Sequence, residues 1–149
     1  MGGTQYVVFF LNKQFFGIDI FKVKEVLSYR TITPLPQAVT FIKGIINLRG
    51  SIIPDFDLRQ KFNLPVQEYT PFHVIIVVEI VGRIMGVIVD EVSDIVEIMP
   101  KELQSTSNLP TNISKEYLKG VGKKEDDMII LLDIDQLLNP AEIEMADST

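Results

Sequence analysis

Cysteine is absent from this chain, and histidine occurs once, as His73. Without thiols there is neither a disulfide framework nor a thiolate metal site, a composition that suits a reducing compartment such as the cytoplasm. A lone histidine cannot anchor zinc, which asks for companion ligands. His73 lies two residues after Pro71, at the start of a predicted strand, and is expected to be an ordinary strand-edge residue. Long apolar runs are missing too. Residues 74–78 form one of the longest, far short of the ~20 residues a membrane helix requires. The first five residues are short and polar, unlike a signal peptide. Positive charge is also scarce: the net charge is −6, and Lys123-Lys124 adjoin Glu125, Asp126 and Asp127. Nucleic acid is therefore a poor partner. Phosphate-binding glycines are not clustered before a helix, since Gly120-x-Gly122 leads into Lys123-Lys124 without Ser or Thr. No Gly-x-Ser-x-Gly turn presents a serine nucleophile. Metal, nucleotide and serine-hydrolase chemistry all lack their parts.

What is present is β-branched and apolar. Hydrophobic residues make up 46% of 149 positions, enough for a single domain that buries roughly 70% of its unfolded surface. Strand patterns cover residues 6–11, 15–20, 26–33, 44–48, 52–56, 74–81, 84–89, 94–98, 120–122 and 128–133. Residues 12–14 and Gly82-Arg83 read as tight turns between hairpin partners. The run 128–132 has no alternation and is expected to be covered on both faces. Helices are few. Asp57 is placed to cap 58–62, and Ser114 to cap 115–119 ahead of Gly120. Ile134, Leu137 and Leu138 share a helical face that Pro140 is expected to stop. An acidic tail, 140–149, follows.

The two halves repeat one another. Gly17 falls on Gly86, and Val23-x-x-Val26-Leu27 on Val92-x-x-Ile95-Val96, both 69 positions apart. Ile42-Lys43-Gly44 falls on Leu118-Lys119-Gly120, and Asp57-Leu58 on Asp133-Ile134, both 76 apart. One net insertion in the 104–112 loop reconciles the two offsets. The reading is a mostly all-β chain of two tandem β-barrels, about five strands each, with short helices and a groove between them. Barrel closure removes exposed strand edges. The first unit is placed at about residues 6–68 and the second at about 69–139, with strand exchange possible at the ends.

Two patterns carry functional expectations. Asp55 and Asp57 lie two apart on one face of a strand end, where Asp57 is better explained as a cap. With His73 they motivate an alternative reading, a free-standing ligand-binding or hydrolytic β domain, although a glycosidase needs two carboxyls facing each other across a cleft. The second pattern is the stretch 41–54, in which the polar turn Asn47-Leu48-Arg49-Gly50 interrupts two apolar strands. A turn does not need a guanidinium, so Arg49 is expected to clamp a carboxylate such as Glu25 or to meet a partner.

In that stretch the chain resembles the CheW-like adaptors of bacterial chemotaxis. The resemblance rests on Phe16-Gly17-Ile18-Asp19-Ile20 with Val23-x-Glu25-Val26, on Phe41-Ile42-Lys43-Gly44 with Asn47-Leu48-Arg49-Gly50, and on Pro54-x-x-Asp57-Leu58-Arg59. It continues through Gly86-Val87-Ile88-Val89-Asp90-x-Val92-Ser93-Asp94 and Tyr117-Leu118-Lys119-Gly120. The order is kept from about residue 5 to 139. The resemblance implies two five-stranded SH3-like barrels, no enzymatic activity and no cofactor. It implies a cytoplasmic scaffold that couples chemoreceptor cytoplasmic tips to the histidine kinase CheA through the kinase's regulatory domain. On that basis Ile20, Val23, Glu25, Val26 and Arg49 are assigned to a receptor-binding groove, and Gly44 and Ile52 to the kinase-facing side of the first barrel.

Overall fold

The computed structural model describes residues 2–35, 42–107 and 109–147. Phe41, which the sequence motifs include, lies outside the described residues. Two hairpins set the architecture. The first joins β1 (Thr4–Leu11) to β2 (Gln14–Asp19), and the second joins β6 (Val74–Ile80) to β7 (Arg83–Val89). Their two-residue turns, Asn12-Lys13 and Val81-Gly82, hold φ values of 52°, 66°, 48° and 80°. Positive φ at both turn positions matches the right-handed twist of paired strands. The remaining strands are β3 (Val23–Ser28), β4 (Ile42–Leu48), β5 (Ser51–Asp57), β8 (Glu91–Ile98), β9 (Leu103–Gln104), β10 (Leu118–Lys124) and β11 (Asp127–Leu132).

These strands form two mixed sheets, in the orders β3-β6-β7-β5-β4 and β8-β1-β2-β11-β10-β9. The chain beyond β3 returns at Thr33 to bridge Ile45 through two backbone hydrogen bonds of 2.9 Å, which brings the ends of the first sheet together. In the second sheet, β8 leads into β9 through the short turn Pro100–Glu102, so its outer strands are chain neighbours. The result is the expected pair of SH3-like barrels, with a sixth strand, β9, that the sequence pattern did not mark.

A cut near residue 68 divides the sequence repeat but does not divide the sheets. The β1–β2 hairpin joins β8 to β11, and the β6–β7 hairpin joins β3 to β5. Each half sends its opening hairpin to one barrel and the rest of its strands to the other. The seams are the short parallel pairings β5–β7 and β11–β2.

Packing explains the exchange. Tyr6 and Val8 fill the second barrel with Ile98, Ile129 and Leu131, and Ile75 and Val77 fill the first with Ile46, Leu48, Ile53 and Ile88. Their sequence neighbours Phe9, Leu11, Ile76, Val78 and Ile80 point the other way, into a larger core shared between the barrels. Successive residues of a strand face opposite sides, so both hairpins are apolar throughout because both of their faces are buried. The space between the barrels is largely core, and less of it is groove than the sequence reading supposed.

The short helices depart from expectation in two places. Asp57 does cap α1 (Leu58–Lys61), its Oδ1 accepting the Arg59 N–H at 2.8 Å. Ser114 makes no side-chain cap, and the helix expected there is a single turn, Lys115–Tyr117, before β10 begins at Leu118. Pro140 starts a helix where it was expected to end one: α2 spans Pro140–Asp147. Asn139 and Glu142 exchange reciprocal cap hydrogen bonds of 2.8 Å, and proline at the first helical position gives up only an N–H that has no helical partner.

Candidate protein-binding site

The Arg49-Gly50 turn joins β4 to β5 with φ of 50° and 88°, braced by the Gly50 N–H donating to Asn47 Oδ1 at 2.9 Å. This places Arg49 outside the barrel, with its side chain 72% exposed. A bulge between Val23 and Glu25 turns the Glu25 side chain to the same end of the barrel. The guanidinium forks onto that carboxylate: Nη2 donates to Oε1, and Nη1 to Oε2 at 3.4 Å. The hydrogen bond to Glu25, followed by its charge, raises the Arg49 pKa further above its ordinary value.

This pair stands over a depression of about 650 Å³ at an open mouth of the first barrel. Leu48, Ile53 and Val77, three residues of the barrel's own core, reach its floor, and Lys24, Ile52, Arg83 and Ile84 form part of its wall. Ile52 is 62% exposed there. Glu25, Arg49 and Ile52, assigned from the sequence to two different partners, therefore line one depression.

The other assigned residues are placed differently. Val26, next to Glu25 on the strand, is on the opposite face of β3 and is 45% exposed. Ile20 is half-buried in the turn Ile20–Lys22, and half-buried Val23 packs against the shared core. Gly44 is not a surface residue. It is buried, and a Cβ built on it would lie 1.9 Å from the Thr33 carbonyl oxygen. Its lack of a side chain admits the chain's own Thr33 segment. The sequence reading missed Phe21, which is 86% exposed. The sequence pattern places a strand at 15–20 and nothing at Phe21; the strand ends at Asp19, whose Oδ1 accepts the Phe21 N–H at 2.9 Å.

The sequence repeat reappears as a second mouth, a depression of about 440 Å³ on the second barrel. Val8, Phe15, Asp94 and Glu125 line it where Val77, Ile84, Glu25 and Arg49 line the first. The geometry repeats and the balance of charge reverses: Lys24, Arg49 and Arg83 outnumber Glu25 at the first mouth, whereas Asp94, Glu97, Glu125 and Asp127 outnumber Lys124 at the second.

Asp55, Asp57 and His73, the basis of the hydrolytic alternative, are all buried. His73 stands immediately before β6, as expected of a strand-edge residue, and is buried there: its Nδ1 accepts the Thr70 N–H at 2.9 Å and its ring meets Tyr69 edge-on at 5.3 Å. Asp57 is occupied by its cap and by the Tyr69 hydroxyl, which donates to Oδ2 at 2.6 Å. Burial first, then that hydrogen bond, pushes the Tyr69 hydroxyl above its ordinary pKa. Among the described residues no group of three or more His, Cys, Asp or Glu side chains is arranged to hold a metal ion.

Two β-barrels with a common core and shallow, charged mouths define a β-barrel binding module. A family model described as the CheW-like domain matches residues 5–142, and the chain belongs to that family. It is 36% identical to the chemotaxis protein CheW of Klebsiella aerogenes over 146 residues, which cover 98% of this chain and 88% of that protein. To the CheW of Rhizobium meliloti it is 32% identical over 145 residues, 97% of this chain and 94% of that one. The crystal structure of the scaffolding protein TtCheW from Thermoanaerobacter tengcongensis superposes with a TM-score of 0.86 at 36% identity, covering 94% of this chain and 95% of that one.

Proposed function

We propose that this chain is a non-catalytic cytoplasmic scaffold of bacterial chemotaxis, coupling chemoreceptor cytoplasmic tips to the histidine kinase CheA. The likeness across nearly the whole chain to CheW proteins, one of them described as a scaffolding protein, carries this reading. Among the described residues no helix is long and apolar enough to cross a membrane, so the link to receptors is assigned to protein contact.

Two surfaces divide the work in this reading. Exposed Val26, with half-buried Ile20 and Val23, is assigned to the receptor tip, because a helical hairpin docks through apolar anchors; the Glu25–Arg49 pair, on the other face of β3, flanks it from the mouth that it shares with Ile52. Ile52 takes the kinase regulatory domain, since an exposed isoleucine beside a basic rim suits a partner with an apolar centre and acidic edge. Gly44 serves the same side indirectly, by letting Thr33 lie against β4.

Binding of the isolated kinase regulatory domain and of a receptor cytoplasmic fragment, measured separately, tests the division. Ile52→Asp is expected to lose the kinase domain and keep the receptor fragment, and Val26→Asp the reverse. A wild-type chain that binds neither partner overturns the scaffold reading. Variants that bind both partners normally overturn the placement of the two surfaces.

A further inference from the structure

Asp55 is fully buried, and among the described residues neither of its carboxyl oxygens has a hydrogen-bond partner. It sits on the seam where β5 pairs in parallel with β7, opposite Gly86, and on its other side β4 offers Gly44. A Cβ on Gly86 would lie 1.9 Å from Asp55 Oδ1, so the carboxyl rests over bare backbone. The second barrel supplies the comparison. At its seam Leu131 pairs with Gly17, and the leucine packs 3.1 Å from the place where a Cβ on that glycine would be. Leu131 is 76 positions beyond Asp55, and Gly86 is 69 beyond Gly17, the two offsets of the sequence repeat. Where one barrel closes its seam with leucine over glycine, the other uses a carboxyl without a partner.

An ionised carboxylate in such a place keeps almost none of its hydration and gains nothing in exchange, so the neutral form fits. Among the described residues few charges face it. Tyr29 and the exposed Arg30 approach from the segment after β3, and Tyr69 from the loop before β6. On its own strand Asp57 is engaged by Tyr69 and the Arg59 N–H. The paired strands β4 and β7 present only glycine backbone at this level.

We propose that Asp55 is a proton-loaded closure of the first barrel: the seam between β5 and β7 is tight while the carboxyl is neutral and loosens when it ionises. Burial pushes the carboxyl up to about 7, with Arg30 pulling the other way. A carboxyl that titrates higher in the folded chain than in the unfolded one, where aspartate ionises near ~3.9, adds stability at low pH that is lost as pH rises between the two values. Ile53-Pro54 and Met85, which line the first mouth, immediately precede the two seam residues. Proton loss at Asp55 therefore acts on the mouth through its walls, whatever partner docks there.

Urea unfolding of wild type and Asp55→Leu across about pH 5 to 8 tests the linkage, with Asp55→Asn as the second variant should leucine fail to fold. The wild-type unfolding constant is expected to rise against the variant's by about tenfold per pH unit up to about pH 7, then level off. Carboxylates common to both proteins cancel in the ratio. A ratio that stays flat over this range overturns the proposal. Amide hydrogen exchange at the upper pH locates the effect: beyond the common acceleration that global unfolding gives both barrels, β5 and β7 should gain more in wild type over the variant than β2 and β11 do. Equal acceleration of both barrels overturns the seam.

Discussion

Gly44 has no room for a methyl group. Its φ of 155° and the Thr33 carbonyl 1.9 Å from any Cβ mean that alanine must push β4 away from the segment that completes the first barrel. Gly44→Ala is expected to lower stability by about 1–3 kcal/mol, as overpacking and backbone strain do. Urea denaturation checks it, and a change below that range would return Gly44 to the surface account. The importance of this residue was legible in the repeat, which aligns Gly44 with Gly120, but its cause was not. A glycine that spares a partner and a glycine that spares its own chain look the same in sequence. Arg49 was readable for a simpler reason: a guanidinium at a hairpin tip has no packing role, so a carboxylate clamp or a contact with a partner was the expectation, and Glu25 takes it within the chain.

Between elements, the link most exposed to mutation is Arg59 on Asp90. Arg59 in α1 donates from Nε to Asp90 Oδ1 at 2.8 Å and from Nη2 to Oδ2 at 2.6 Å, and its Nη1 reaches the Pro65 carbonyl at 2.7 Å. Asp90 lies where the chain leaves β7 for β8, and it also accepts the Asn12 N–H of the β1–β2 turn at 2.9 Å. Three segments from both barrels meet on one carboxylate. Burial pushes that carboxyl up, but the Arg59 and Asn12 hydrogen bonds outweigh it and hold the group below its ordinary value. Arg59→Leu strands the acid and is expected to cost about 3–5 kcal/mol near neutral pH. A carboxyl with a lowered folded pKa contributes above its unfolded value and loses that contribution as pH falls, so the gap should narrow below about pH 4. Denaturation of both proteins at several pH values measures it. The cap at Asp57 was visible because it is local; Arg59 and Asp90 are 31 positions apart, and only the fold aligns them. The Asn139-Pro140 start of α2 was also local, yet proline signals both the first residue of a helix and the end of one.

At the scale of the molecule, the exchanged hairpins make the barrels one cooperative unit. Residues 6–68 alone lack β6 and β7, the centre of the first sheet, and residues 69–139 alone lack β1 and β2, the centre of the second. Neither fragment is expected to show a folded β spectrum by circular dichroism, whereas the whole chain should unfold in one transition by calorimetry. An independently folded fragment would contradict the shared core of Phe9, Phe16, Ile76 and Val78. The amino-acid sequence by itself determined the strands other than the short β9, the duplication, the Asp57 cap and the family, because alternation, turn residues and ordered motifs are local or additive signals. Only the tertiary structure decided which barrel each hairpin joins and that one mouth holds Glu25, Arg49 and Ile52. It alone decided that Phe21 is outside while His73 and Asp55 are inside. A strand apolar on both faces carries no mark of which neighbour covers which face, and burial of a single polar side chain is set by distant segments packing over it.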